Sequence, residues 1–288
     1  MKRASLAVVS ALMLTVPAAQ AADMALKAPP PPVPVCNWCG WYVGVNAGAN
    51  WNGNSVQTIG TPGFAAATFG NEAVVGAGLA TTTVGNHRAS FIGGAQIGYN
   101  YQLTNSVIGW EADIQGLANH GSTTVLGASA VPVFVTEAFT STTTVSKNVN
   151  WLGTVRGRFG FLANPNLLLY ATGGLAYGGV KANTTIVQSD SGIQPGNVTA
   201  TYAGTASTST TRVGWTVGVG GEWMLAGNWS AKIEYLYYDL GKVSYGTSLV
   251  ANAAGFATPT WVVNTLSSTR FNGSIARVGL DYHFGGPK

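Results

Sequence analysis

From Trp41 to Trp51 the chain alternates large or apolar residues with small or polar ones. Trp41, Val43, Val45, Ala47, Ala49 and Trp51 take the odd positions, and Tyr42, Gly44, Asn46, Gly48 and Asn50 the even ones. Successive side chains of a β-strand point to opposite faces, so this spacing predicts a strand with one apolar face and one small or polar face. Trp41 and Trp51 lie ten residues apart. That separation is about 33 Å along a strand. Tilted by about 40° it becomes roughly 25 Å, the height of the lipid-facing band of a membrane-spanning barrel. Tryptophan at both ends suits the two membrane–water interfaces.

The rhythm returns along the chain. Phe91, Ala95, Ile97, Tyr99 and Tyr101 oppose Gln96, Asn100 and Gln102, and Ile108, Trp110, Ala112 and Ile114 oppose Glu111, Asp113 and Gln115. Trp151, Val155, Phe159 and Phe161 oppose Asn150, Thr154, Arg156 and Arg158. A fifth strand sets Leu169, Ala171, Leu175 and Tyr177 against Tyr170, Thr172 and small residues. In the sixth, Val213, Trp215, Val217, Val219 and Trp223 oppose Arg212, Thr216 and Glu222. Trp229, Ala231, Ile233, Tyr235 and Tyr237 oppose Lys232 and Glu234, and the last strand sets Ala276, Val278, Leu280, Tyr282 and Phe284 against Arg277, Asp281 and His283.

The connections alternate as well. Leu103–Ser106, Leu162–Asn166 and Ala226–Asn228 are short and turn-like, whereas Asn54–Ala89, Gly121–Ser146, Ala182–Thr210 and Tyr245–Thr269 are long, neutral, and rich in Ser, Thr, Gly and Ala. Short turns on one rim and long loops on the other is the layout of an outer-membrane barrel with its short side in the periplasm. The expected fold is all-β, an eight-stranded antiparallel up-and-down transmembrane β-barrel. Val131–Val145 is apolar enough for a further hairpin, which would make ten strands.

Composition and the N-terminus point the same way. Only 8% of the 288 residues are charged while 46% are hydrophobic; ordinary globular chains carry about 25% charge. Lys2 and Arg3, the apolar run Leu6–Val16 and Ala19-Gln20-Ala21 read as a secretory signal over residues 1–21. No later apolar run reaches the ~18 residues of a spanning helix. An exported, apolar chain without such a helix is left with the closed barrel as its membrane structure. Residues 22–39 form a periplasmic leader containing the polyproline stretch Ala28–Pro34, and residues 40–288 the barrel. Lys and Arg occur singly, so nucleic acid is not an expected partner.

The blocks "GWYVGVNAG", "WLGTVRGRFGF", "LLLYATGGLAYG", "AKIEYLYYDLG" and "ARVGLDYHF" together resemble the porin-like outer-membrane β-barrel family of alphaproteobacteria. The family includes surface antigens and haemin-binding surface proteins. The resemblance covers nearly the whole mature chain and implies an eight-stranded barrel in the cell outer membrane. Cys36, Cys39 and the tail Gly285–Lys288 depart from the family pattern.

Candidate chemistry sits mostly on the inward face. Glu111 and Asp113 lie one strand from Arg156 and Arg158; Glu222 lies one strand from Lys232 and Glu234, and Arg277 on the next. These groups would either line a gated ion path or form a plugged, ion-paired core. Eight strands leave a lumen that side chains fill, which favours the plug. Cys36 and Cys39 lack the His of a haem-attachment motif and the further ligands of a zinc site, so a local disulfide is expected. His120 and Ser122, with Glu137, raise a lipid A-modifying enzyme as a remote alternative, but a nucleophilic serine needs an oriented base. His87 and Arg88 could hold haemin at the first loop, although a solvated loop edge is the favoured reading. No resident cofactor, metal site or catalysis is expected. The reading is a monomeric surface-exposed barrel serving envelope integrity, with a narrow channel or haemin capture as the alternatives. Outer-membrane lipid and lipopolysaccharide would surround it, and the leader could make periplasmic or peptidoglycan-side contacts.

Overall fold

The computed structural model describes residues 36–53, 55–63, 70–85, 88–118, 121–130, 138–193, 198–251 and 262–284. The signal, the polyproline stretch and the tail after Phe284 lie outside these residues. In chain order the elements are β1 (Gly40–Gly53), β2 (Ser55–Gly63), α1 (Gly70–Ala80), β3 (Thr82–Gly85), β4 (Arg88–Leu103) and β5 (Ser106–Leu117). They continue with β6 (Ser122–Ala130), β7 (Ala138–Asn164), β8 (Leu167–Ile193), β9 (Val198–Met224), β10 (Trp229–Ala251) and β11 (Val262–His283).

Eight of the strands form a closed antiparallel ring in the order β1, β4, β5, β7, β8, β9, β10, β11, and β11 pairs back onto β1. Between the girdles, closure pairs the backbone of every ring strand on both sides, the condition for spanning hydrocarbon. Register gives the strand tilt. Trp51 pairs with Ser274, and the chain of partners runs through Tyr237, Val217, Gly173, Gly157, Trp110 and Tyr99 back to Trp41. One circuit therefore displaces the strand from residue 51 to residue 41, a stagger of ten. With about 3.3 Å per residue and 4.8 Å between strands, ten residues over eight strands gives a tilt of about 40°.

The two faces follow the alternation. Val45, Phe91, Ile114, Phe159, Leu175, Val219, Ile233 and Val278 are among the exposed outward residues, while Asn46, Gln96, Asp113, Arg158, Glu234 and Arg277 are buried inside. At the periplasmic end Trp41, Tyr99, Trp110, Trp223, Trp229 and Tyr282 form one aromatic girdle; Trp51, Trp151, Tyr177, Trp215 and Tyr237 form the other. Inside, Gly44 is required because a Cβ there would collide with the Leu280 carbonyl and the Asp281 carboxylate.

The long connections differ from the sequence expectation. They are largely strand rather than loop. β7, β8 and β9 each run for 27 residues, far beyond the 9–11 or so that cross a membrane. Thr- and Val-rich runs such as Thr142–Val145 have the β-branched side chains that suit a pleated surface. Above the outer girdle, the hairpin of β2 and β3 extends the wall from β11, and β6 pairs with β7. The described part of Val131–Val145, from Ala138 onward, is the upper end of β7; the ring stays at eight.

Two irregularities change the rhythm. Asn150 was expected inside, yet it is exposed, because the ladder skips it between Val149–Val180 and Trp151–Gly179. This bulge moves the inward face of β7 from even residues below it to odd residues above it. A second bulge between Asp239 and Lys242 does the same in β10, with Gly241 at φ 82°, a backbone angle glycine adopts without a steric cost.

Candidate functional site

The lumen is filled in layers, and the lowest extended layer is ionic. Arg156 donates to Glu111 at 2.5 Å, Asp113 at 2.8 Å and Glu234 at 2.9 Å. Arg277 crosses the lumen to Asp113 at 3.0 Å and grips Glu234 at 2.5 Å. Lys232 reaches Glu111 at 2.7 Å. Arg158 does not join the carboxylates of neighbouring β5. It pairs with Glu222, two strands away on β9, and stacks over Tyr170 of the intervening β8, 3.7 Å from the ring centroid. All eight charged residues singled out from the sequence are thus buried, and Tyr42 of β1, which accepts from Arg158 at 3.3 Å and donates to Glu111, links the Arg158–Glu222 pair to the other six. An isolated charge in so dry a space would cost several kcal/mol, so each must be paired and hydrogen-bonded.

Sequence reasoning left several members unassigned. Tyr42 donates to Glu111 at 2.7 Å, Gln96 donates to Asp281 at 2.5 Å, and Ser230 and His283 both contact Glu222. Their inward parity was the available signal. Polar, uncharged side chains on that face complete the bonding that the charges need.

The periplasmic mouth is closed by the leader itself. Cys36 and Cys39 are disulfide-bonded, with Cα atoms 5.5 Å apart. The short loop between them carries Trp38, which is fully buried against Val107, Leu168, Tyr170 and Met224. Its indole donates to the Pro165 carbonyl at 3.2 Å, and its ring meets His283 edge-on at 5.8 Å. The described end of the leader, from Cys36 to Cys39, therefore acts as a stopper.

Above the ionic layer the lumen turns apolar. Ile92, Leu152, Leu236, Tyr238, Phe271 and Ile275 belong to one buried cluster. Higher still, the alanines at 73, 77 and 80 bring one face of α1 against Phe139, Ile186, Tyr202, Leu249 and Val263. Gln188 fixes the helix by donating to the Gly76 carbonyl at 2.7 Å. Small residues at this spacing let α1 lie close inside the extended wall.

Lys147 sits between these apolar layers. It faces inward from β7, 4% exposed, donates to the Arg270 carbonyl at 2.5 Å and lies 5.0 Å from the Phe271 ring centroid. Burial lowers its pKa to about 8. In the unfolded chain a lysine titrates near 10.4. Between those values the unfolded state binds the extra proton, so stability rises with pH. The expected gain is about 3 kcal/mol at most, acquired between about pH 8 and 10.5. Unfolding midpoints of the native chain and a Lys147→Met variant should diverge across that window and run parallel below pH 7.

Of the other sequence candidates, His87, His120 and Glu137 lie outside the described residues. Arg88 opens β4 opposite Asn52, and its side chain is likewise not described. Ser122 begins β6 opposite Ser146, beyond the outer girdle.

A model of the outer membrane protein beta-barrel domain matches residues 6–284. The chain is 36% identical to the 31 kDa outer-membrane immunogenic protein of Brucella melitensis, over 99% of this chain and 100% of that one. It is 32% identical to a 22 kDa outer membrane protein of Rhizobium leguminosarum, covering 55% and 57% of the two chains. Among solved structures it is similar to Ail, the attachment invasion locus protein of Yersinia pestis, at 12% identity and TM-score 0.29, over 83% of this chain and 98% of that one. It is also similar to Neisserial surface protein A at 11% identity and TM-score 0.31, over 85% and 97%. The ring, the two girdles and the full-length matches place the chain in the outer membrane, and it belongs to the outer membrane protein beta-barrel domain family, to which its similarity to alphaproteobacterial outer-membrane proteins also points.

Proposed function

We propose that this barrel is a non-conducting structural element of the outer membrane, serving envelope integrity and presenting a rigid β-extension at the cell surface. The carrying observation is the filled lumen. Trp38 stoppers the periplasmic mouth, the Arg156 network occupies the inner half, and the Leu236 cluster and α1 fill the space above. An ion entering would have to displace buried pairs and then cross an apolar layer, each a barrier of several kcal/mol.

Planar-bilayer recording of the purified full chain tests this. Silent membranes at ±100 mV are expected while heat-modifiable gel migration reports a folded barrel. Regular unitary steps from folded protein would overturn the reading in favour of a narrow channel. For the structural role, cells lacking the gene should take up a hydrophobic dye faster and recover on complementation; unchanged uptake would remove it.

A further inference from the structure

Among the described side chains, charge outside the lumen is sparse and mostly cationic, with Asp239 held by Arg270. Every carboxylate with a described side chain is at most 4% exposed. Among the described cations, Arg156, Arg158, Lys232 and Arg277 lie in the lumen, and Lys147 faces the interior of the extension. The others are Lys181, Lys242 and Arg270, on the ring strands β8, β10 and β11, and Arg212 on β9, whose register position opposite the buried Gly178 is on the inward face. Lys181 and Lys242 are exposed, and the Arg270 side chain is 59% exposed while pairing with Asp239 at 2.5 Å. Arg212 lies at the seam where β9 and β10 part, donating to the Lys242 carbonyl at 3.2 Å.

Their height is as informative as their sign. Lys181 is four residues beyond Tyr177 and Lys242 five beyond Tyr237. Arg270 is four beyond Ser274, the register partner of both Trp51 and Tyr237. At about 2.5 Å of height per tilted residue, these three form an arc roughly 10–12 Å above the outer girdle, at the level of lipid headgroups.

A groove of about 450 Å³ opens on the outer surface directly below Arg270. Trp51 and Tyr237 wall it, while Gly53, Ala89, Gly273 and Ser274 leave it wide. Tyr237 keeps a polar edge there, its hydroxyl accepting from Asn272 at 2.9 Å. Aromatic walls with a hydroxyl and amide rim suit a sugar ring, and the cations above suit its phosphates.

We propose that the arc and groove together bind the phosphorylated sugar headgroup of an outer-leaflet glycolipid, phosphates on Lys181, Lys242 and Arg270 and sugar over Trp51 and Tyr237. Charge complementarity selects the occupant: an anionic group at headgroup height meets an outward surface with no exposed carboxylate among the described residues. The inference rests on the outer-membrane placement and not on the closed lumen, so a conducting barrel would leave it standing.

The test uses the full chain in a neutral detergent, titrated with bisphosphorylated lipid A or its dephosphorylated form and read by native mass spectrometry. The native chain should retain the bisphosphorylated form and lose it as salt rises, since these charges are screened. The variant Lys181→Gln/Lys242→Gln should bind about thirtyfold more weakly, each charge near an anionic lipid surface being worth about fivefold. Both lysines are exposed, and unchanged heat-modifiable migration verifies the fold. Equal retention of the dephosphorylated lipid by the native chain would overturn the proposal without recourse to any variant. So would a double variant binding like the native chain, or a soluble sulfated polysaccharide held equally well and displacing the lipid completely.

Discussion

An Arg156→Met barrel is expected to lose about 3–5 kcal/mol of stability, the usual consequence of removing one partner from a buried ionic cluster. Arg156 contacts three carboxylates at once, Glu111, Asp113 and Glu234. The side chains of all four groups are 0–2% exposed. Methionine keeps most of the volume and removes the charge, so the loss reports electrostatics rather than a cavity. Arg277 and Lys232 would remain against Glu111, Asp113, Glu234 and Asp281, two cations for four carboxylates. Guanidinium unfolding of the vesicle-inserted chain, followed by tryptophan fluorescence, measures the difference. A loss below about 1 kcal/mol would mean that the lumen behaves like a hydrated surface, where ion pairs contribute that little. The closed-lumen reading would fall with it. Pairing Arg156→Met with Glu111→Gln and Glu234→Gln should recover part of the loss, because the orphaned charges leave together.

What the sequence conveyed about this network follows from how strands encode position. Period two specifies the face, so the inward placement of Glu111, Asp113, Arg156, Arg158, Glu222, Lys232, Glu234 and Arg277 could be read directly. Which inward residues meet depends on stagger and lumen width, and neither is written in the alternation. Arg158 therefore looked like a partner for neighbouring β5 yet pairs with Glu222 on β9, two strands away on the other side. Asn150 was misplaced for a related reason: a bulge inserts one residue, and every position beyond it changes face. The extension was hidden by composition. Ser, Thr, Gly and Ala resemble loop residues when counted, although Thr and Val in alternation also suit a two-sided wall. Trp38 escaped notice because proline and cysteine around it read as a linker, while its burial depends on the barrel mouth being just wide enough for an indole. The cations of the outer arc are isolated in sequence, and become neighbours only once β8 to β11 are laid side by side.

Val219→Arg is expected to cost about 2–4 kcal/mol, the depth-dependent penalty for arginine on the lipid face of a barrel. Val219 is 59% exposed on the outward face of β9, four residues from Trp215 and four from Trp223. Those tryptophans belong to opposite girdles, so Val219 stands at the middle of the hydrocarbon. Its partners Ala171 and Tyr235 offer no carboxylate, and none faces outward from the described neighbouring strands within reach. A snorkelling arginine would have to carry its charge past half the apolar band to reach water. Val213 provides the control on the same strand. It is 67% exposed, two residues beyond Trp215 and level with the outer interface. Val213→Arg should cost no more than about 1 kcal/mol. The same unfolding assay reads both variants. Equal costs at the two positions would mean that β9 does not cross a bilayer between Trp215 and Trp223. A wall wetted on its outside would treat Val213 and Val219 alike; one in lipid must separate them by depth.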